Sequence, residues 1–228
     1  NYTLTYEWKI LNQGGIVDKT INGNKNPVLK LGDLDNDNDL DLIYGSQQDW
    51  QGLQVYKFDG KRMQKDNSDN GMGNIRNVND AEIGDINGDG FSDVLINQFA
   101  GNNNGSLRIY LPRIENDTLS GVYDQIDIDM GLYKAKGKII DLNNDGQSEV
   151  VVVGLTSNNP TSGKPKFYVY EYQDGSQQDD NGNPIGSAGF SKIDLTDQIE
   201  SLKNASFDLG DVDNDQDIDF VITGFDES

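Results

Sequence analysis

The chain contains no cysteine and no histidine. That rules out thiol catalysis, disulfide stapling, zinc sites of the usual ligand types and every histidine-based acid/base mechanism. Proline is scarce, with 5 among 228 residues, and the apolar fraction is only 34%. No apolar run approaches the ~20 residues that a membrane-spanning helix needs. Position 1 is Asn rather than Met, which we read as a mature chain or an excerpt. Basic residues are few as well: 18 Lys and Arg stand against 39 Asp and Glu, a net charge of −21. Such a surface repels phosphate backbones and anionic headgroups, so we expect neither nucleic-acid binding nor membrane insertion.

What the chain does contain points to an all-β fold. Glycine is frequent (26), and the apolar residues sit in short clumps rich in Val, Ile, Tyr and Phe, which suit short strands joined by polar turns. There is no long stretch of helical periodicity. In "DLTDQIESLKNA" (194–205), Leu195, Ile199 and Leu202 have helical spacing, but a loop with one short turn fits equally well.

An acidic segment recurs four times, as "GDLDNDNDLDLIYGS" from Gly32, "GDINGDGFSDVLINQ" from Gly84, "IDLNNDGQSEVVVVG" from Ile140 and "GDVDNDQDIDFVITG" from Gly210. The leading aspartates Asp33, Asp85, Asp141 and Asp211 lie 52, 56 and 70 residues apart, a spacing of supersecondary units. Between the acidic segments come, in fixed order, an aromatic segment (2–10, 52–60, 106–114, 166–175), a more polar one (15–21, 61–66, 121–128, 190–195) and one that feeds the next acidic loop. An apolar strand follows each loop. Four strand-like segments per repeat predict a β-propeller-type array of four four-stranded blades, either a closed ring or part of a larger array. We draw the modules at about 1–51, 52–104, 105–164 and 165–228, with a surface insertion at 173–189. The chain opens on the aromatic type and stops after the post-loop type, so its two ends are complementary, within one ring or head to tail between copies.

The crowding of like charge has a chemical reading. Hard cations such as Ca²⁺ take six to eight oxygens, and a loop with side-chain ligands at positions 1, 3, 5 and 9 and a carbonyl from position 7 wraps one ion. The side-chain ligands would be Asp33, Asp35, Asp37 and Asp41 in the first loop and Asp85, Asn87, Asp89 and Asp93 in the second. The third would use Asp141, Asn143, Asp145 and Glu149, the fourth Asp211, Asp213, Asp215 and Asp219. Asp39, Phe91, Gln147 and Asp217 would give the carbonyls. Position 6 needs a left-handed backbone: Gly90, Gly146 and Asn38 suit it, and Gln216 departs from it. Mg²⁺ resists dehydration and rarely fills an all-protein cage, so we expect about four Ca²⁺ ions.

These loops, with their strand-like flanks, resemble the FG-GAP or VCBS-type repeats of the integrin α-subunit head and of many bacterial secreted proteins. The resemblance covers essentially the whole chain. It implies extracellular calcium-binding propeller blades, usually seven to a ring, and the four modules here depart from that number.

A nucleophile has no histidine to activate it, and the clustered acids are assigned to metal, so we expect no enzyme in this chain. We expect an adhesion module, secreted or at the cell surface, holding a protein or glycan on an inter-blade loop face. Trp50 in "GSQQDWQG" and Phe99 in "QFAGNNNGS" are candidates for stacking on a sugar, against the alternative that Trp50 and Trp8 pack between blades. Alternatives are a structural subunit of a filament or scaffold joined head to tail, and an accessory domain of a polysaccharide-active enzyme. The sequons at Asn1, Asn104, Asn116 and Asn204 are compatible with a glycosylated surface protein.

Overall fold

The structure, a computed structural model, describes residues 5–12, 15–22, 25–47, 52–68, 70–72, 75–98, 105–116, 118–157, 163–174, 189–199, 202–215 and 218–226. Within them, residues 5–26, 47, 202–205 and 225–226 are described by backbone alone. The chain is all-β. A first sheet consists of β3 (Lys25–Gly32), β4 (Asp41–Gln47), β5 (Gln54–Phe58) and β6 (Met63–Lys65). A second has β7 (Val78–Gly84), β8 (Asp93–Gln98), β9 (Ser106–Glu115) and β10 (Thr118–Met130). A third has β11 (Tyr133–Ile140), β12 (Glu149–Leu155), β13 (Pro165–Gln173) and β14 (Gly189–Asp194). Each is an antiparallel meander whose order in space is its order in sequence. Two further pairs stand apart: β1 (Thr5–Asn12) with β2 (Gly15–Asn22), and β15 (Leu202–Gly210) with β16 (Asp219–Asp226).

Three of the four expected four-stranded sheets are present, and the remaining four strands form two separate hairpins; the described residues form no closed ring and no propeller. The sheets are also phased differently from the sequence modules at 1–51, 52–104, 105–164 and 165–228. Each sheet starts with a loop-feeding strand and takes its aromatic and polar strands from the following module. The acidic loop and the turn after it keep feeding, apolar and aromatic strands in one meander. The step from polar strand to next feeding strand is where the chain changes sheet. Among the described residues of the segment 194–205, only Thr196–Gln198 forms a 3₁₀ turn, and Leu202 already opens β15.

The register is the same in all three sheets. The tenth residue from each leading aspartate lies opposite a tyrosine of the aromatic strand: Leu42 opposite Tyr56, Val94 opposite Tyr110, Val150 opposite Tyr170. Strands β4, β8 and β12 are buried along nearly their whole length, as their unbroken Val, Ile and Leu content requires of strands covered on both faces.

Neighbouring sheets bury these strands by stacking in chain order. Ile43 and Val55 pack with Val78, Ala81, Val94, Ile96 and Tyr110 between the first and second sheets. Leu95 and Ile109 meet Val150, Val152, Tyr168 and Tyr170 between the second and third. Val151, Val153 and Phe167 meet Phe207, Leu209 and Ile222 of the β15–β16 pair. The stacking is close enough to demand glycine. A Cβ on Gly32 would sit 2.5 Å from Ile83 Cγ2, and one on Gly84 would sit 3.0 Å from Ile139 Cγ2. A buried carboxylate crosses the seam between the second and third sheets: Asp80 Oδ2 accepts from the N–H of Gly137 at 2.6 Å.

Candidate metal sites

Each acidic loop is the turn of a hairpin between a feeding strand and an apolar strand, and the described residues of the four share a hydrogen-bond pattern. The N–H of position 2 donates to the carboxylate of position 9: Leu34 to Asp41 Oδ2 (3.0 Å), Ile86 to Asp93 Oδ2 (2.8 Å), Leu142 to Glu149 Oε2 (2.7 Å) and Val212 to Asp219 Oδ2 (2.8 Å). The N–H of position 5 donates to Oδ1 of position 1 in every loop, at 3.1–3.2 Å. In the first three, the N–H of position 6 reaches Oδ2 of position 1, and that of position 7 reaches Oδ1 of position 5. The leading aspartate is thus a hub around which the backbone turns.

This winding needs a left-handed residue twice. At position 6 the residues are Asn38, Gly90 and Gly146, with φ of 69°, 85° and 92°. Position 4, which spacing alone did not single out, is also left-handed, at Asn36, Gly88, Asn144 and Asn214. The signal was in the alignment, because only Asn and Gly occupy that position and these are the residues that tolerate the conformation. Gln216 and Asp217 lie outside the described residues, as do Trp50 and Phe99.

The loops gather charge. One carboxylate oxygen from each of Asp33, Asp35 and Asp37 lies within 4.8 Å of the other two, and the same holds for Asp211, Asp213 and Asp215. At that separation each like-charge pair costs roughly 1 kcal/mol in water and about 3 at an effective dielectric of ~20. In the second and third loops an asparagine relieves the crowding. Asn87 Nδ2 donates to Asp89 Oδ2 at 3.0 Å, and Asn143 Nδ2 to Asp145 Oδ2 at 2.9 Å. The position-7 residues Asp39, Phe91 and Gln147 lie in the same turns, so three loops bring the whole proposed set onto one short arc.

In the first three loops the position-9 carboxylate is the buried member, whereas Asp219 of the fourth is only half-buried. Asp41 and Asp93 are fully buried and Glu149 nearly so. Burial pushes Asp93 up to about 7 against the opposing N–H of Ile86, with Asp89 and Asp85 raising it further. Burial likewise raises Asp41 to about 6, opposed by the N–H groups of Phe58 and Leu34. Glu149 is raised for the same first reason. Two oxygens of the set, Asp35 Oδ1 and Asp93 Oδ1, are buried without a hydrogen-bond partner. A buried carboxylate oxygen without a donor is costly, and a hard cation is the partner that this donor set of carboxylates and amides suits. The residues could therefore hold a hard cation such as calcium, which when bound would add positive charge beyond that of Lys57 beside Asp35.

Beside the first two loops, between the first and second sheets, lies a cleft of about 320 Å³. Lys57, Asp66, Asn70, Phe91 and Tyr123 line it together with Leu34–Asn36 of the first loop. Lys57 Nζ stands 3.4 Å from Asp35 Oδ2, so the cleft and the first acidic loop share a wall. Sequence reasoning placed a ligand near Trp50 and Phe99 and did not find this cleft, whose residues come from strands far apart in the chain.

No family model matches the chain, and no curated protein matches it in sequence.

Proposed function

We propose that this chain is a calcium-stabilised repeat protein of the propeller-blade type that acts outside the cell as an adhesion module. The observation that carries the reading is the pair of buried, donor-less oxygens, Asp93 Oδ1 and Asp35 Oδ1, in two loops of a segment that recurs four times. The resemblance of those loops to FG-GAP and VCBS-type repeats supports it. A secreted location suits such sites, because extracellular calcium modules work at about 10⁻⁴–10⁻³ M.

The adhesive surface in this reading is the cleft between the first two sheets. Phe91 offers a ring face, and Lys57, Asp66 and Asn70 offer polar groups, a combination that suits a glycan or a polar protein loop. Calcium in the first loop orders one wall, so ligand binding depends on the ion. An array of glycans and purified surface proteins, probed in calcium and in chelator, tests this with wild type, Phe91→Ala and Lys57→Ala. The expected outcome is calcium-dependent binding that both substitutions weaken. Binding that is equal in chelator, or unchanged by both, rejects the cleft.

A second reading, a structural subunit joined head to tail, is favoured by one observation. Apolar positions buried in the other sheets are exposed in the β15–β16 pair, where Val212 and Val221 face solvent.

A further inference from the structure

The three full sheets place one cross-strand pair beside each acidic loop, and its chemistry changes from sheet to sheet. The tenth residue from each leading aspartate faces a tyrosine of the aromatic strand. One step further along the same register, the position-9 carboxylate lies opposite the residue that follows that tyrosine: Asp41 opposite Lys57, Asp93 opposite Leu111, Glu149 opposite Glu171. Directly opposed residues share a face of the sheet, so the charge of the second member acts on the loop that the first one closes. The series runs from a cation through an apolar side chain to an anion.

Both charged members act on their loops. Lys57 Nζ stands 3.4 Å from Asp35 Oδ2, and its ammonium is among the groups that oppose the rise that burial imposes on Asp41. Glu171 does the reverse: after burial, the first cause, it joins Asp145 and Asp141 in pushing Glu149 up. Ser191 Oγ donates to Glu171 Oε2 at 3.3 Å, and no ammonium or guanidinium among the described residues forms an ion pair with Glu171. Like charges placed directly opposite each other are destabilising. A shared cation therefore relieves Glu149 and Glu171 more than it relieves either other pair.

Calcium affinity follows the charge of the ligand set. The first loop offers four side-chain carboxylates, Asp33, Asp35, Asp37 and Asp41, while the second and third offer three each. On that count alone the first would be the tightest. With the opposing strand residue included, the first falls to −3 (four less Lys57), the second stays at −3 and the third reaches −4 (three plus Glu171). Lys57 breaks the tie, because a cation entering the first loop competes with an ammonium already beside Asp35.

We propose that the residue opposite position 9 grades the calcium affinity of the loops, so that among the three full sheets the third, with Glu171, fills first and the first, with Lys57, fills last. The inference rests on the calcium reading above and adds an order to it. Its consequence falls on the cleft, one wall of which is Leu34–Asn36 of the first loop. That wall is ordered last as calcium rises, so the cleft is complete only at the upper end of the calcium range.

A titration that reads each loop separately tests the order. The N–H groups of Asn38, Gly90 and Gly146 donate to the leading aspartates of the three loops. Their amide resonances, followed by NMR in the isotope-labelled full chain as calcium is added to chelator-stripped protein, give one midpoint per loop. The expected midpoints rise in the order Gly146, Gly90, Asn38. Lys57→Met keeps the methylenes and removes the charge, and it is expected to lower the Asn38 midpoint about threefold or more; Glu171→Gln is expected to raise the Gly146 midpoint by a similar factor, the scale of one charge contact near the surface. Each substitution should leave the other loop's midpoint in place. Coincident midpoints, an Asn38 midpoint below that of Gly146, or an order that either substitution fails to move, overturn the grading and leave calcium binding standing. Shifts at none of the loops overturn both the binding and the grading.

Discussion

The Tyr123 hydroxyl donates to the carbonyl of Leu34 at 3.1 Å, tying β10 of the second sheet to the first acidic loop. Tyr123 is buried in the cleft wall, and its hydroxyl is held well above the ordinary tyrosine range by burial and by the carboxylates of Asp93, Asp41, Asp35 and Asp33. Tyr123→Phe keeps the ring and leaves that carbonyl unpaired, which should cost about 1–2 kcal/mol. Urea unfolding reads the loss. Because the bond ends in the first loop, calcium affinity should fall in the same variant, and an unchanged affinity would mean that the loop holds its shape without the second sheet.

The contact of Gly32 with Ile83 fixes how closely the first two sheets approach. Gly32→Ala drives a Cβ to 2.5 Å from Ile83 Cγ2, and overpacking of this kind costs about 1–3 kcal/mol. Ile83→Ala alone should also destabilise, by opening a cavity. The double variant should recover part of the loss, since the new methyl fills the space that the isoleucine leaves. Thermal melts of the four proteins measure the coupling, and strictly additive losses would contradict the close approach.

The pH dependence follows from Asp93. Burial pushes its folded carboxyl up to about 7, from an ordinary value of 3.8. Below pH ~4 it is protonated in both states and contributes no slope. Between about 4 and 7 the folded state keeps a proton that the unfolded state has lost, so in chelator this group erodes stability as pH rises. Asp93→Asn should flatten that slope and leave the metal-free protein on the order of a few kcal/mol more stable at pH 8. In calcium the order should reverse, because the variant loses a ligand of the second loop. Calcium uptake below pH 7 should also release protons, which calorimetry in two buffers of different ionisation enthalpy detects.

The sequence made the all-β class legible because two patterns were strong: short β-branched runs such as "EVVVVG", and the fourfold acidic loop with Asn or Gly at its turns. That the acidic residues of these segments would gather in hairpin turns was readable for the same reason, since a turn only nine residues long leaves little freedom in where they lie. The grouping of strands into sheets was not readable. Feeding, apolar, aromatic and polar segments recur cyclically, so any of four starting points describes the repeat equally well, and only the hydrogen-bonded neighbours fix where a sheet begins. The cleft escaped for a different reason. Lys57, Asp66 and Tyr123 come from separate sheets or connections, and nothing local in sequence records that they converge. The burial of position-9 carboxylates was likewise invisible, because Asp41 and Asp93 look no different in sequence from the exposed Asp37 and Asp89.

Cation binding by the acidic loops is what the proposed function requires first. Isothermal calorimetry of calcium into chelator-stripped protein, paired with melting curves in the same buffers, tests it most directly. The account predicts saturable uptake approaching four ions per chain and a melting temperature that climbs with calcium, each site held a hundredfold above its Kd adding about 2.7 kcal/mol. No binding heat, together with a melting temperature indifferent to calcium, would contradict it.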